Sequence, residues 1–208
     1  MLDAPQGSNA WLQARCGSIG ASDVPRLIRK TKAGAFSADR ATLLAEKVLE
    51  RLTGVPNSIP KTAAMLQGTE REPIARLTYS LIKNVEVEEV TLIVHPRIKG
   101  SHASPDGFVD SDGLLEAKCP QPAAHLDTLL TETISADYMA QMQWQMAVTD
   151  RSWCDYCSFN PDFPTPMQLW VKRVPRDDKF IAALEKDVQG FIREIQLRID
   201  RLTVRYAA

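Results

Sequence analysis

Cysteine is scarce in this sequence: Cys16, Cys119, Cys154 and Cys157 are the four present in 208 residues. They are too few and too scattered to staple a chain of this size, so reduced thiols are expected. Cys154 and Cys157 have CxxC spacing, yet a structural zinc needs a second ligand pair, and His95, His102 and His125 stand at no matching spacing. The pair reads as strand core. An excess of one charge is also missing. Lys and Arg number 25 against 26 Asp and Glu, a net charge of -1, which argues against a globally basic surface and requires any nucleic-acid contact to use local patches. No apolar run approaches a membrane span, and no basic segment followed by an apolar stretch opens the chain. A cytoplasmic protein with no membrane partner is expected. Repeats and low-complexity runs are absent too. What is present, 44% hydrophobic and 25% charged residues, is the composition of an ordinary globular protein with a substantial core. Residues 1–208 are read as one domain.

The most informative stretch runs from Ser104 to Pro120, SPDGFVDSDGLLEAKCP. In a strand alternate side chains share a face, so Glu116 and Lys118 point one way while Leu115 and Ala117 point the other. Asp112-Gly113 is a hairpin signal, with Gly113 able to supply a positive φ. A three-residue loop of Ser111, Asp112 and Gly113 puts Asp106 opposite Lys118 and diagonal to Glu116 on one face; a two-residue loop throws Asp106 to the other. Two carboxylates on one face suit a hard cation such as Mg²⁺, and a lysine beside them can orient or activate a water, a combination fit for phosphodiester hydrolysis. The bland alternative is a surface hairpin carrying an ion pair worth roughly 0 to 1 kcal/mol.

Around this stretch, Trp11 to Ile28 reads as a leading segment followed by a short helix with Ser22 as N-cap. The functional alternative to the cap, which the residues alone favour less, is that Arg15, Ser22 and a helix N-terminus hold a phosphate. Arg26, Arg29, Lys30 and Lys32 are either a solvated face or a patch that guides a nucleic-acid backbone. Ser37 caps a helix through about Leu52, with Leu43, Leu44, Val48 and Leu52 at helical spacing and Gly54 and Pro56 ending it. Thr62 to Lys83 is helical in pattern but interrupted at Gly68 and Pro73, with Glu70 and Glu72 near the start of its second part. Val85 to Val90 and Thr91 to His95 read as strands beside the hairpin. Helices follow Pro120, the second capped by Ser135, with a Met139, Met142, Met146 stripe on one face and Gln141 and Gln145 on another. Strands at Trp153 to Phe159 and Met167 to Val174 flank an NPDFPTP loop, and Asp177 opens a long amphipathic helix that buries Phe180, Leu184, Val188, Phe191, Ile195 and Leu202. This order predicts an α/β fold, a mixed central sheet flanked by helices.

Pro105-Asp106 followed by Glu116-Ala117-Lys118 matches the PD-(D/E)xK nuclease signature, and the longer SPDG…LEAKCP resembles the lambda exonuclease and YqaJ-type viral recombinase family. The resemblance extends from Trp11 to the final helix and implies a restriction-endonuclease-like core. It also implies that Asp106, Glu116 and the Ala117 carbonyl bind Mg²⁺, with Mn²⁺ as a substitute, and that Glu72 completes the site. Lys118 would position or deprotonate the water, and Gln141, in YMAQMQ, would orient groups near it. RCGSIGAS is similar to the family's Arg…AS motif, so Arg15, Ser22 and Ser104 would bind a 5′-phosphate. The chain departs from some relatives at Pro96, where they carry a further acidic residue, and at Ala124, where an arginine can stand with His125 here beside it.

The implied activity is an alkaline 5′-to-3′ exonuclease digesting linear double-stranded DNA to mononucleotides and leaving a 3′ single strand for recombination. A homotrimeric ring on DNA ends, a single-strand annealing partner, and a phage or prophage origin in a bacterial host go with it. Alternatives are a nuclease of the same fold that cuts internally or on single strands, and an inert DNA-end-binding scaffold.

Overall fold

A computed structural model of the chain describes residues 4–57 and 62–207. It opens on α1 (Asn9–Arg15), whose first turn is capped by Ser8 accepting from the Trp11 N–H. A 3-10 turn (Ala21–Asp23) then leads into α2 (Val24–Ile28). Ser22 is not the cap expected of it. The Asp23 carboxylate accepts the Gly20 N–H (3.0 Å) and closes the turn, which leaves the Ser22 side chain exposed. Helix α3 (Ala38–Thr53) begins after Ser37 and ends at Gly54, whose φ of 67° is the left-handed stop that glycine supplies without strain. Leu43, Leu44 and Val48 are buried on its inner face, whereas Leu52 is exposed.

Helix α4 (Ala63–Lys83) runs without the expected interruptions at Gly68 and Pro73. Pro73 has no N–H for the Thr69 carbonyl, but it falls in the middle of 21 residues whose remaining bonds and buried Ala75 and Tyr79 carry the helix through. The Tyr79 hydroxyl donates to buried Asp155 (2.7 Å), and the Arg173 guanidinium binds the same carboxylate through two bonds (2.8 and 3.0 Å). This network locks α4 against the sheet.

Strands β1 (Val87–Glu88), β2 (Ile93–Val94), β3 (His102–Ala103), β4 (Gly107–Val109) and β5 (Gly113–Lys118) follow, then α5 (Pro122–Thr131) and α6 (Ala136–Thr149), then β6 (Trp153–Phe159), β7 (Leu169–Pro175) and α7 (Asp178–Tyr206). The main sheet has the order β1-β4-β5-β6-β7. Only β5 and β6 pair in parallel, and the α5–α6 crossover is the connection that parallel neighbours require. The expected mixed sheet flanked by helices is therefore present. The Thr91 to His95 segment departs from expectation: β2 pairs with β3 in a separate two-stranded sheet. Ile93 and Ala103 pack into the core shared with Leu27, Trp144 and Phe191, and burial there decides the pairing.

Helix α4 covers one face of the main sheet, with Ala75 and Tyr79 against Val109, Leu115, Ala117, Cys157 and Phe159. Helices α6 and α7 cover the other, with Met142, Met146 and Ile181 against Leu114, Cys154, Tyr156 and Val174. Cys154 and Cys157, three apart in one strand, fall on opposite faces as buried free thiols, the core role expected of them. On α7 the stripe is buried through Ile195, while Leu202 is exposed.

The central hairpin is shifted by two residues from its anticipated register. Val109 pairs with Gly113 and Gly107 with Leu115, so the loop is Asp110, Ser111 and Asp112, and Asp106 comes level with Glu116 rather than Lys118. The one-face arrangement survives because both registers have the same parity. Asp110 supplies the positive φ (49°), and Gly113 has a different duty. A Cβ on Gly113 would sit 2.1 Å from the Trp153 ring. Glycine stands there because β6 presses an indole onto the strand. Gly113→Ala is accordingly expected to lose about 1 to 3 kcal/mol in urea unfolding through overpacking. Asp110→Gly should shift stability by less than about 0.5 kcal/mol, since the new residue suits that φ; equal losses in the two variants would contradict this division of roles.

Candidate active site

Glu116 lies on the middle strand with 1% of its surface exposed. An isolated buried carboxylate is unfavourable by several kcal/mol unless donors replace its water. Three do. Gln141 Nε2 donates to Oε1 (2.6 Å), Gln145 Nε2 donates to Oε2 (2.6 Å), and the Lys118 ammonium, two residues along the same strand face, joins at Oε1. The i, i+4 spacing places both glutamines on the side of α6 that faces the sheet, beside the buried Met142 and Met146. Gln141 was anticipated near the acidic cluster. Gln145, which shares its face, is a second clamp, a role that depends on a burial that spacing alone does not give.

Asp106 stands just before β4, where that strand has not yet covered β5. Its N–H donates to the Leu115 carbonyl (3.1 Å), and its Oδ2 accepts the Ala117 N–H (2.7 Å), so the side chain continues the ladder that the backbone leaves off. Glu72 reaches in from α4 to hydrogen-bond Asp106, while Glu70 is exposed. Of the two, Glu72 is the one beside Asp106, and it comes from mid-helix rather than a helix start. Arg76, one turn on, lies 3.5 Å from Glu72. Burial, then the charge of Glu116, with Glu72 adding to both, holds the Asp106 carboxyl well above the usual carboxylate range, opposed by Lys118. Burial alone would pull Lys118 down, but Glu116 and Asp106 outweigh it and keep the ammonium above the ordinary lysine range. Lys118 is thus held protonated in this state, as a charged hydrogen-bond donor.

Arg15, at the end of α1, stacks on Trp11 with its guanidinium carbon 4.1 Å from the ring centroid. Burial lowers its pKa against the opposing charges of Asp23 and Glu50. The segment that follows is zipped to β3: Ile19 N–H donates to the Gly100 carbonyl and His102 N–H to the Ile19 carbonyl, each at 2.9 Å. Two residues after β3 begins comes Ser104, whose buried hydroxyl has no partner. Arg15, Ser22, His102 and Ser104 line a cavity of about 190 Å³ together with Glu72, Asp106, Glu116, Ala117, Lys118 and Gln141. The residues that the resemblance assigns to the metal, the water and the 5′-phosphate all line it. Larger spaces of about 580 and 410 Å³ open on either side, and Glu72 lines all three.

Other candidates fall away from this cavity. Arg26 is held by Glu46 (3.0 and 3.1 Å), and Arg29 is tied to Asp39 and Asp137, so half of the basic run is spent on ion pairs. Ala124 is exposed, and neighbouring His125 is buried, with its ring nitrogens 2.8 Å from the Ser158 hydroxyl and the Met167 carbonyl. Neither lines the cavity. Pro96 offers no carboxylate, and among the described residues no three His, Cys, Asp or Glu side chains form a ready-made cation cage. The arrangement suits a hard cation that keeps several waters and takes few protein ligands.

Because Asp106 has a folded-state pKa above its unfolded value, the folded protein holds a proton that the unfolded chain has released. Its contribution is fullest below the unfolded pKa and is lost as pH rises through the folded one. In metal-free calorimetry between about pH 5 and pH 8, Asp106→Asn should melt progressively higher than the parent as pH rises; parallel pH profiles would count against a buried, charge-crowded Asp106.

A family model described as the YqaJ-like viral recombinase domain matches residues 10–152. Two crystal structures of LHK-Exo, an alkaline exonuclease from Laribacter hongkongensis, one of them in complex with dAMP, align at 40% identity with TM-scores of 0.90 and 0.89, covering 96% of this chain and 98% of theirs. A phage-related exonuclease from Haemophilus somnus, 15% identical, shares the fold with a TM-score of 0.74 over 89% of this chain and 96% of that one. Among curated proteins nothing matches. The family match runs from α1 to the start of β6 and takes in every residue lining the central cavity except Gln6; the chain belongs to the YqaJ-like viral recombinase domain family.

Proposed function

We propose that this chain is a Mg²⁺-dependent alkaline exonuclease that degrades linear double-stranded DNA from 5′ ends, releases mononucleotides and leaves a 3′ single strand for recombination. The observation that carries the reading is the single cavity in which a guanidinium and the unpartnered Ser104 hydroxyl lie beside a crowded carboxylate pair and a lysine. Family membership and 40% identity to an alkaline exonuclease support it. Residues 1–208 would act as one nuclease domain, as a ring of three copies on DNA ends, working with a protein that anneals single strands. The space on both sides of Glu72 suits a polymer that continues past the reacting phosphate.

A divalent cation fits the residues present. Asp106 and Glu116 are level across the hairpin, and the raised Asp106 pKa marks negative charge short of compensation. Asp106, Glu116 and the Ala117 carbonyl would hold the metal, with Glu72 completing the acidic set. Bound there, the metal would supply charge stabilisation to the attacking and leaving oxygens of the phosphodiester. Gln141 and Gln145 fix Glu116 so that its oxygens stay aimed at the cavity. Lys118 donates a hydrogen bond that orients the water and, with the carboxylate charge taken up, has less to hold its proton. Arg15, Ser22 and Ser104 bind the terminal 5′-phosphate and so set the scissile bond one nucleotide along.

Digestion of linear duplexes bearing a 5′-phosphate or a 5′-hydroxyl, in Mg²⁺ with a chelator control, tests this reading. Metal-dependent mononucleotide release, faster from the phosphorylated end, is expected, while closed circles survive; internal fragments would sink the exonuclease. Lys118→Ala should lower cleavage by about a hundredfold or more while retaining DNA binding in gel shift, and full activity would remove the proposed mechanism. Arg15→Ala should reduce the preference for phosphorylated ends about tenfold or more, the loss of a charged hydrogen bond; an unchanged preference would remove the end pocket.

A further inference from the structure

His102 is 2% exposed, and the site as described so far makes no use of its side chain. Its Nδ1 lies 2.9 Å from the Ser18 hydroxyl, while its Nε2 is buried with no partner among the described residues. A buried polar nitrogen without a partner is unfavourable by about 1 to 3 kcal/mol, so a group that can pair with it is called for. The residue lines the central cavity with Arg15, Ser22 and Ser104. The Ser104 hydroxyl, two residues along the same extended segment, is likewise buried and unpartnered. Two orphaned groups in one small cavity point to one missing ligand.

Gly20 locates the convergence. A Cβ built on it would lie 2.8 Å from His102 Nε2 and 3.3 Å from Arg15 Nη2. The imidazole and the guanidinium therefore approach one small space, which any other residue at position 20 would fill. When the Ser18 hydroxyl donates to Nδ1, the ring carries its proton on Nε2 and presents a donor. Burial, then the charges of Arg15 and Lys47, lowers the His102 pKa to about 3, so the ring stays neutral beside Arg15.

We propose that His102 is a further ligand of the terminal 5′-phosphate, a neutral imidazole donating from Nε2 to the same phosphoryl oxygens that Arg15, Ser22 and Ser104 bind. This rests on the end-phosphate reading of the cavity and adds to it a donor that brings no second positive charge. A phosphate monoester, all acceptors, satisfies each of these groups. A 5′-hydroxyl end would leave them unpaired, and that difference is the physical source of selectivity.

The test is the ratio of digestion rates on 5′-phosphorylated and 5′-hydroxyl duplexes in Mg²⁺ for the parent, Arg15→Ala, His102→Asn and His102→Gln. Asparagine keeps an amide where Nδ1 meets Ser18 but removes the cavity donor, whereas glutamine places an N–H near Nε2. His102→Asn should lower the ratio about tenfold and His102→Gln should restore most of it. A parental ratio in His102→Asn alongside a collapsed ratio in Arg15→Ala would overturn the role of His102 and leave the end pocket standing. No change in either variant would overturn the pocket, and His102's role with it. Nitrogen NMR of the unsubstituted protein needs no variant to fold. An Nε2–H tautomer whose signal moves on adding inorganic phosphate is expected, and an Nδ1–H tautomer indifferent to phosphate would refute the proposal.

Discussion

Glu116 is a carboxylate at the centre of a sheet, and the rest of the structure is arranged around keeping it there. Burial of an unpaired charge would unfold a marginally stable domain. Lys118 from the same strand and Gln141 and Gln145 from α6 replace the lost water, so β5 and α6 must lie in one relative position to within the reach of a hydrogen bond. Met142 and Met146, packed beside the glutamines against Leu114 and Cys154, hold that position by apolar contact. Polar clamp and core thus come from adjacent rows on the sheet-facing side of one helix. The same donors that stabilise the charge leave its oxygens oriented toward the cavity.

On the opposite side of the sheet, the network of Tyr79, Asp155 and Arg173 fixes α4, and α4 delivers Glu72 to Asp106. The third wall comes from the N-terminal segment zipped onto β3, which carries Arg15 to within a short span of Ser104 and Asp106. Three separate parts of the chain therefore meet at one small cavity. The electrostatics follow from that meeting: carboxylates gathered out of water lift Asp106, hold the proton on Lys118, and create the demand for positive charge that a divalent cation would meet.

Much of this was legible before any coordinates. The period of two in a strand puts Glu116 and Lys118 on one face whatever the fold, and the period of 3.6 in a helix does the same for Gln141 and Gln145. Capping chemistry marked the start of α6 at Ser135 and the end of α3 at Gly54, because those signals act within a few residues. Where a local rule met a distant neighbour, the neighbour won. Gly113 looked like a turn glycine, yet it answers to Trp153 forty residues away. Pro73 looked like a helix start, yet burial of Ala75 and Tyr79 carried α4 through it.

The sequence by itself determined the shared face of Glu116 and Lys118, the helix faces, the mixed α/β order and the residue types able to hold a phosphate and a cation, since each depends on local geometry and side-chain chemistry. Tertiary structure alone decided that Asp106 stands level with Glu116, that Gln145 is a second clamp, that Arg26 and Arg29 are spent on ion pairs, and that His102 Nε2 is left without a partner. Those are facts of register and of burial against residues far along the chain. No pattern of nearest neighbours encodes them, because the competing partners are chosen only when the sheet and its covering helices close.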